Sequence, residues 1–143
     1  VSKRVWEEAV TIVAIRHPID RFVSSFNFHC RSDYAGGYLA RFPDLKTWTM
    51  DRYFETMTTL CPYVIAPQWK YVLHLNSECP PDFLIRFENP TPEVERIRKE
   101  LGLSQSLHRL NVRSLLPDPL DNDLRERLVH YYHRDFEQFG YTP

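Results

Sequence analysis

Two arginines and a serine, Arg16, Arg21 and Ser24, stand at a spacing suited to holding a phosphate group within the run VTIVAIRHPIDRFVSSF of residues 10–26. A guanidinium fork meets a phosphate dianion through two parallel, charge-assisted bonds, and a serine hydroxyl can donate a third. Arg21 and Ser24 are three residues apart, so on a helix they are neighbours on one face. A helix start just before them adds backbone donors that favour anions. The bland alternative is that Arg16 and Arg21 are solvated or pair with Asp20 and Glu8, with Ser24 on plain surface. Spacing alone does not separate the two readings, because short motifs match by chance.

The elements that must position these groups decide in favour of chemistry. Ala9 to Ile15 is almost continuously apolar and β-branched, which predicts a parallel strand buried on both faces. Pro18 suits the first turn of a helix, where its missing N–H costs nothing. Ile19, Phe22, Val23 and Phe26 then fall at i, i+3, i+4 and i+7, an apolar stripe that faces a sheet. Arg16 lands at the carboxyl end of the strand, where open α/β sheets take their ligands.

Composition limits the alternatives. The 143 residues suffice for one domain with a real core, and the 43% hydrophobic and 14% aromatic shares are those of a globular chain. Eighteen basic and 19 acidic residues leave a net charge of −1, so no global field invites nucleic acid and any anion site is local. No stretch approaches the roughly 18 apolar residues of a membrane span, and the start Val1-Ser2-Lys3-Arg4 does not read as a signal peptide. Cys30, Cys61 and Cys79 show neither a Cys-x-x-Cys pair nor a zinc pattern. Three buried or free thiols are simpler than one disulfide plus a free thiol. Each asparagine fails the Asn-x-Ser/Thr pattern, a slight lean toward the cytoplasm.

Residues 27–82 form an aromatic-rich, helical region in which Gly36-Gly37 and Pro43-Asp44 mark turns. Tyr53, Phe54, Met57 and Leu60 follow helical spacing, and residues 68–73 predict another helix. Sugars stack on exposed rings, which makes this a conceivable acceptor side, although most rings in such a region belong to the core. Phe83 to Phe87 predicts a short strand. Thr91 is then expected to cap a helix with Pro92 at its first position, a stripe of Val94, Ile97 and Leu101, and a stop at Gly102. Asp121 is expected to cap the last helix, whose inner face is Leu124, Leu128, Tyr131 or Tyr132, and Phe136, with Gly140 as its end. No repeat or linker divides the chain.

The block Arg16-x-Pro18-x-x-Arg21-x-x-Ser24-x-Phe26 resembles the segment that grips the 3′-phosphate of the sulfate donor in sulfotransferases. The later half is similar to carbohydrate-type sulfotransferases, of bacteria and of the eukaryotic Golgi. It shares the strand leading into Arg86-Phe87-Glu88-Asn89, the helix ending Leu101-Gly102-Leu103, the His108-x-x-Asn111-x-x-Ser114 loop and the close from Tyr132 to Tyr141. The resemblance implies a three-layer, P-loop-like α/β fold with a parallel sheet and the donor 3′-phosphoadenosine 5′-phosphosulfate, leaving as 3′,5′-ADP. It also implies a carbohydrate or other hydroxyl acceptor and no metal. Arg16 and Ser24 carry over as 3′-phosphate ligands, with Arg21 and, in the late loop, Arg113 as further donor contacts. The compartment would be the cytoplasm for a bacterial protein and the Golgi lumen for a eukaryotic one.

One part of the pattern is missing from the residues given. Such enzymes open with a strand, a phosphosulfate-cradling loop and a helix, built on the backbone-nest physics of P-loops. No such loop lies among the 15 residues before Arg16. The chain is therefore expected to be the C-terminal portion of the fold, a single partial domain with a bare sheet edge that favours oligomers and without sulfate transfer of its own. The usual base, a His or Glu, falls in that same part; His29 is the one candidate here. His130 and His133, at i and i+3, read as a solvated helix face. A P-loop nucleotide kinase relative and a non-catalytic adapter keeping the fold are the competing readings.

Overall fold

The computed structural model describes residues 8–31, 36–72, 81–104 and 120–143. In chain order the elements are β1 (Ile12–Ile15), α1 (Pro18–Phe26), α2 (Gly36–Arg41), α3 (Met50–Leu60), α4 (Trp69–Val72), β2 (Phe83–Arg86), α5 (Thr91–Leu101), α6 (Asn122–Tyr131) and α7 (His133–Phe139). They group into two compact units: one drawn from residues 1–17 and 68–114, the other from residues 18–67 and 115–143. Arg113, with the rest of the late loop, and Cys79 lie outside the described residues.

In the first unit β1 and β2 pair in parallel, Ile12 opposite Phe83 and Ile15 opposite Arg86. A polar clamp sets this register at the start of the ladder. Thr11 donates its N–H and its hydroxyl to Asp82 Oδ2, both at 2.8 Å, and Asp82 N–H returns a bond to Thr11 Oγ1 at 3.0 Å. Those two donations hold the Asp82 carboxyl below its ordinary range. A one-residue slip would break all three bonds and turn every side chain of the strand over. Helix α5 packs on β2 and buries Val94 and Ile97, while Ile15, Val72 and Phe83 are buried elsewhere in the unit.

Three expectations are corrected here. The strand is not buried on both faces: Ile15 is 1% exposed, but Ile12 is 46% exposed and Ala14 is also exposed. An apolar sequence permits two-sided burial; elements on both faces are needed to produce it. Among the described residues each strand has a single neighbour. Helix α5 takes Pro90, not Thr91, as its cap, so Pro92 falls one position further in, still within the turn that lacks acceptors for its N–H groups. Gly102 ends it at φ 64°, but Leu101 stays exposed rather than completing the stripe.

The second unit holds the larger core. Helix α1 buries Pro18, Ile19, Phe22 and Phe26, the last two packing edge-on or tilted against Phe54 and Tyr53 at 5.6–5.9 Å. Each such ring removed from water is worth about 1.5–3 kcal/mol. Helix α1 does not stop at Phe26: it widens into a π-helical turn over Asn27–Arg31 that buries Asn27 and Cys30. Helix α3 is capped by Thr49, whose side chain accepts from Arg52 N–H, and buries Tyr53, Phe54 and Met57. Leu60, expected on that stripe, is exposed.

Asp121 caps α6 by accepting from Leu124 N–H at 2.8 Å. Leu124, Leu128, Tyr132 and Phe136 line the inner face across the break between α6 and α7, with Tyr132 fully buried and Tyr131 only half-buried. Gly140, at φ 62°, ends α7 as expected. Arg127 of α6 reaches Asp51 and Glu55 of α3 at 2.9 and 3.3 Å. Cys30 and Cys61 are buried free thiols. No helix among the described residues is long and apolar enough to cross a membrane.

Candidate functional site

Arg16 belongs to the first unit and stands one residue beyond β1. The ladder has ended there: its last bond runs from Phe87 N–H to Ile15 C=O at 2.8 Å. The backbone of Arg16 is instead met by a side chain. Gln68 Oε1 accepts from Arg16 N–H at 2.9 Å, and Gln68 Nε2 donates to Arg16 C=O at 2.7 Å. The next N–H, of His17, is taken by Glu88 Oε1. The Arg16 guanidinium lies 4.8 Å from the centroid of the Phe87 ring, a cation–π contact, and its Nε is buried without a hydrogen-bond acceptor among the described residues. A buried donor with no acceptor costs about 1–3 kcal/mol, a deficit that an anion would remove.

Arg21 and Ser24 belong to the second unit, on α1. Ser24 is exposed, as an available donor must be. Arg21 is half-buried and partly committed to its own fold: one Nη donates to the carbonyl of Ala66, and the guanidinium faces the Tyr132 ring at 5.9 Å. Tyr132 in turn donates to the neighbouring carbonyl, Ile65, at 2.8 Å. Arg21 Nε, like that of Arg16, is buried and carries no hydrogen bond to the described residues.

His29 sits in the π-helical turn. That turn brings Ser25 and His29 to one phenol: Tyr53 Oη lies 2.8 Å from Ser25 Oγ and 2.8 Å from His29 Nδ1. The imidazole is also flanked edge-on by Phe28 and Tyr38, at 5.3 and 4.9 Å. Burial holds it below its ordinary value of 6.5; a backbone bond at Ser25 opposes this, and the Lys46 charge adds to it. The lowered value favours the neutral imidazole, whose Nδ1 is bound to Tyr53. Burial likewise pushes the Tyr53 phenol well above its usual range.

His130 and His133 stack at 6.2 Å on the exposed side of the last two helices. No group of three or more His, Cys, Asp or Glu suited to a metal ion occurs among the described residues. Sequence reasoning missed Gln68. A lone glutamine carries no motif signal, and its partner lies 52 residues away.

The sequence model of the sulfotransferase family matches residues 2–142. The chain belongs to the sulfotransferase family, and the match is consistent with the carbohydrate type. The searches of curated proteins and of solved structures each returned no match. The mixed helix and strand architecture with a small parallel sheet is compatible with the α/β fold of that family.

Proposed function

We propose that the protein transfers a sulfuryl group from 3′-phosphoadenosine 5′-phosphosulfate to a carbohydrate hydroxyl, within the three-layer P-loop-like fold. Arg16 and Ser24 are the ligands of the donor's 3′-phosphate, with Arg21 and Arg113 as further contacts. The observation that carries this reading is Arg16 itself. It follows a parallel strand, is held at its backbone, and keeps a buried Nε without an acceptor among the described residues. Arg16 and Arg21 offer fixed positive charge, and exposed Ser24 offers a hydroxyl that reorients at little cost.

The donor supplies an activated sulfuryl group on a good leaving group, so the protein's part is positioning and charge neutralisation, as in phosphoryl transfer. An acceptor hydroxyl loses its proton to a base as it attacks sulfur in line, and the bond from sulfur to the 5′-phosphate oxygen breaks to release 3′,5′-ADP. His29, oriented through its Nδ1 on Tyr53, is the base candidate these residues supply. An uncovered sheet edge would pair with a second copy.

The test is transfer of radiolabelled sulfate from the donor to a panel of carbohydrate and phenol acceptors by the full-length protein. Turnover on a carbohydrate acceptor that disappears in Arg16→Ala supports the reading. Absence of transfer to any hydroxyl acceptor by a folded, donor-binding protein would favour the non-catalytic adapter instead.

A further inference from the structure

Gln68 is buried, 6% exposed, and both ends of its carboxamide are bound to the backbone of one residue. Burying an amide is unfavourable unless both its donor and its acceptor are used. Here Arg16 uses both. The N–H it offers belongs to the peptide plane before its Cα, and the C=O it offers belongs to the plane after. Fixing both planes fixes φ and ψ of Arg16, and with them the direction in which its side chain leaves the backbone. A further strand residue would do this in a longer sheet; at Arg16, where the ladder with β2 has ended, a side chain does it.

We propose that Gln68 is a positioning residue for anion recognition: it aims Arg16 at the 3′-phosphate of the nucleotide. The inference rests on the reading of Arg16 as a 3′-phosphate ligand. Phe87, 4.8 Å beneath the guanidinium, steadies the far end of the side chain, and Glu88 holds the next peptide group at His17. Gln68 thus sets the near end, Phe87 the far end. The requirement on position 68 is narrow. Asparagine is too short by one methylene. Glutamate keeps an acceptor for Arg16 N–H but turns a second oxygen toward Arg16 C=O, and leucine offers neither bond.

The test compares two nucleotides that differ only in the 3′-phosphate, 3′,5′-ADP and 5′-AMP, by calorimetry on the full-length protein. Wild type is expected to prefer 3′,5′-ADP, and Arg16→Ala to cut that preference by about tenfold or more. Gln68→Leu and Gln68→Glu are each expected to weaken 3′,5′-ADP binding at least tenfold while leaving 5′-AMP within twofold. The same loss for both nucleotides, or an undiminished preference in either folded variant, would overturn the positioning role. No preference in wild type would instead bring down the reading of Arg16, and this inference with it. A measurement without substitution covers the case in which neither variant folds. The side-chain amide resonances of Gln68 and the backbone amide of Arg16 should shift with 3′,5′-ADP and stay in place with 5′-AMP. Static resonances with a bound 3′,5′-ADP would contradict the proposal.

Discussion

The guanidinium of Arg21 faces the ring of Tyr132 at 5.9 Å, and the two side chains donate to adjacent carbonyls, Arg21 to Ala66 and Tyr132 to Ile65. Residues 111 positions apart in the chain thereby hold one short stretch of backbone. Helix α1, through Arg21, and the closing aromatic block are joined through it within the second unit. The carbonyl of Ile65 is buried with its residue, so its hydrogen bond is needed rather than optional.

Tyr132→Phe keeps the ring and removes only the hydroxyl. It should destabilise the fold by about 1–3 kcal/mol, the cost of leaving a buried acceptor without its partner. Urea denaturation read by fluorescence gives the figure. A change under a few tenths of a kcal/mol would mean that the Ile65 carbonyl finds another donor.

His29 makes stability depend on pH. Its pKa is lowered in the folded state, so between that value and 6.5 the unfolded chain binds more protons than the folded one. Its contribution is fully present above the unfolded value and is lost as pH falls through the folded one. His29→Gln should therefore flatten the stability profile below pH 6.5, with little change in slope above it. Melting temperatures of both proteins from pH 5 to 8 measure this, and parallel profiles would show that His29 titrates alike in both states.

Burial pushes the Cys30 thiol up to about 11, against the smaller opposing effects of Arg31 and Lys46. The thiolate is the reactive form, so Cys30 should resist alkylation at pH 7.5 in the native protein and react once it is unfolded. Peptide mapping after iodoacetamide treatment reads this directly. Rapid native modification of Cys30 would mean that the π-helical turn opens.

What could be read in advance was local. The stripe Ile19, Phe22 and Phe26, the cap at Asp121 and the stop at Gly102 depend on neighbours within a turn or two and stand as the spacing implies, although the stripe packs on helix α3 where a sheet was expected. Leu60 and Leu101 fit their stripes equally well yet lie exposed, because helix periodicity tells which side a residue is on and not how far its cover extends. The apolar run at β1 showed a strand but not which of its faces would be covered. Tyr131 and Tyr132 could not be separated by spacing, since the helix breaks between them. The π-helical turn that carries Ser25 and His29 to Tyr53, and the clasp of Gln68 on Arg16, join residues 24 or more positions apart. No local pattern encodes either.

The central claim is that Arg16 and Ser24 grip a 3′-phosphate, and calorimetry with 3′,5′-ADP and 5′-AMP tests it most directly. Tight binding of 3′,5′-ADP and much weaker binding of 5′-AMP are expected, with Arg16→Ala costing about 1.5–3 kcal/mol for the first nucleotide and little for the second, as for bonds to a charged group. Equal affinity of the wild-type protein for the two nucleotides would contradict it.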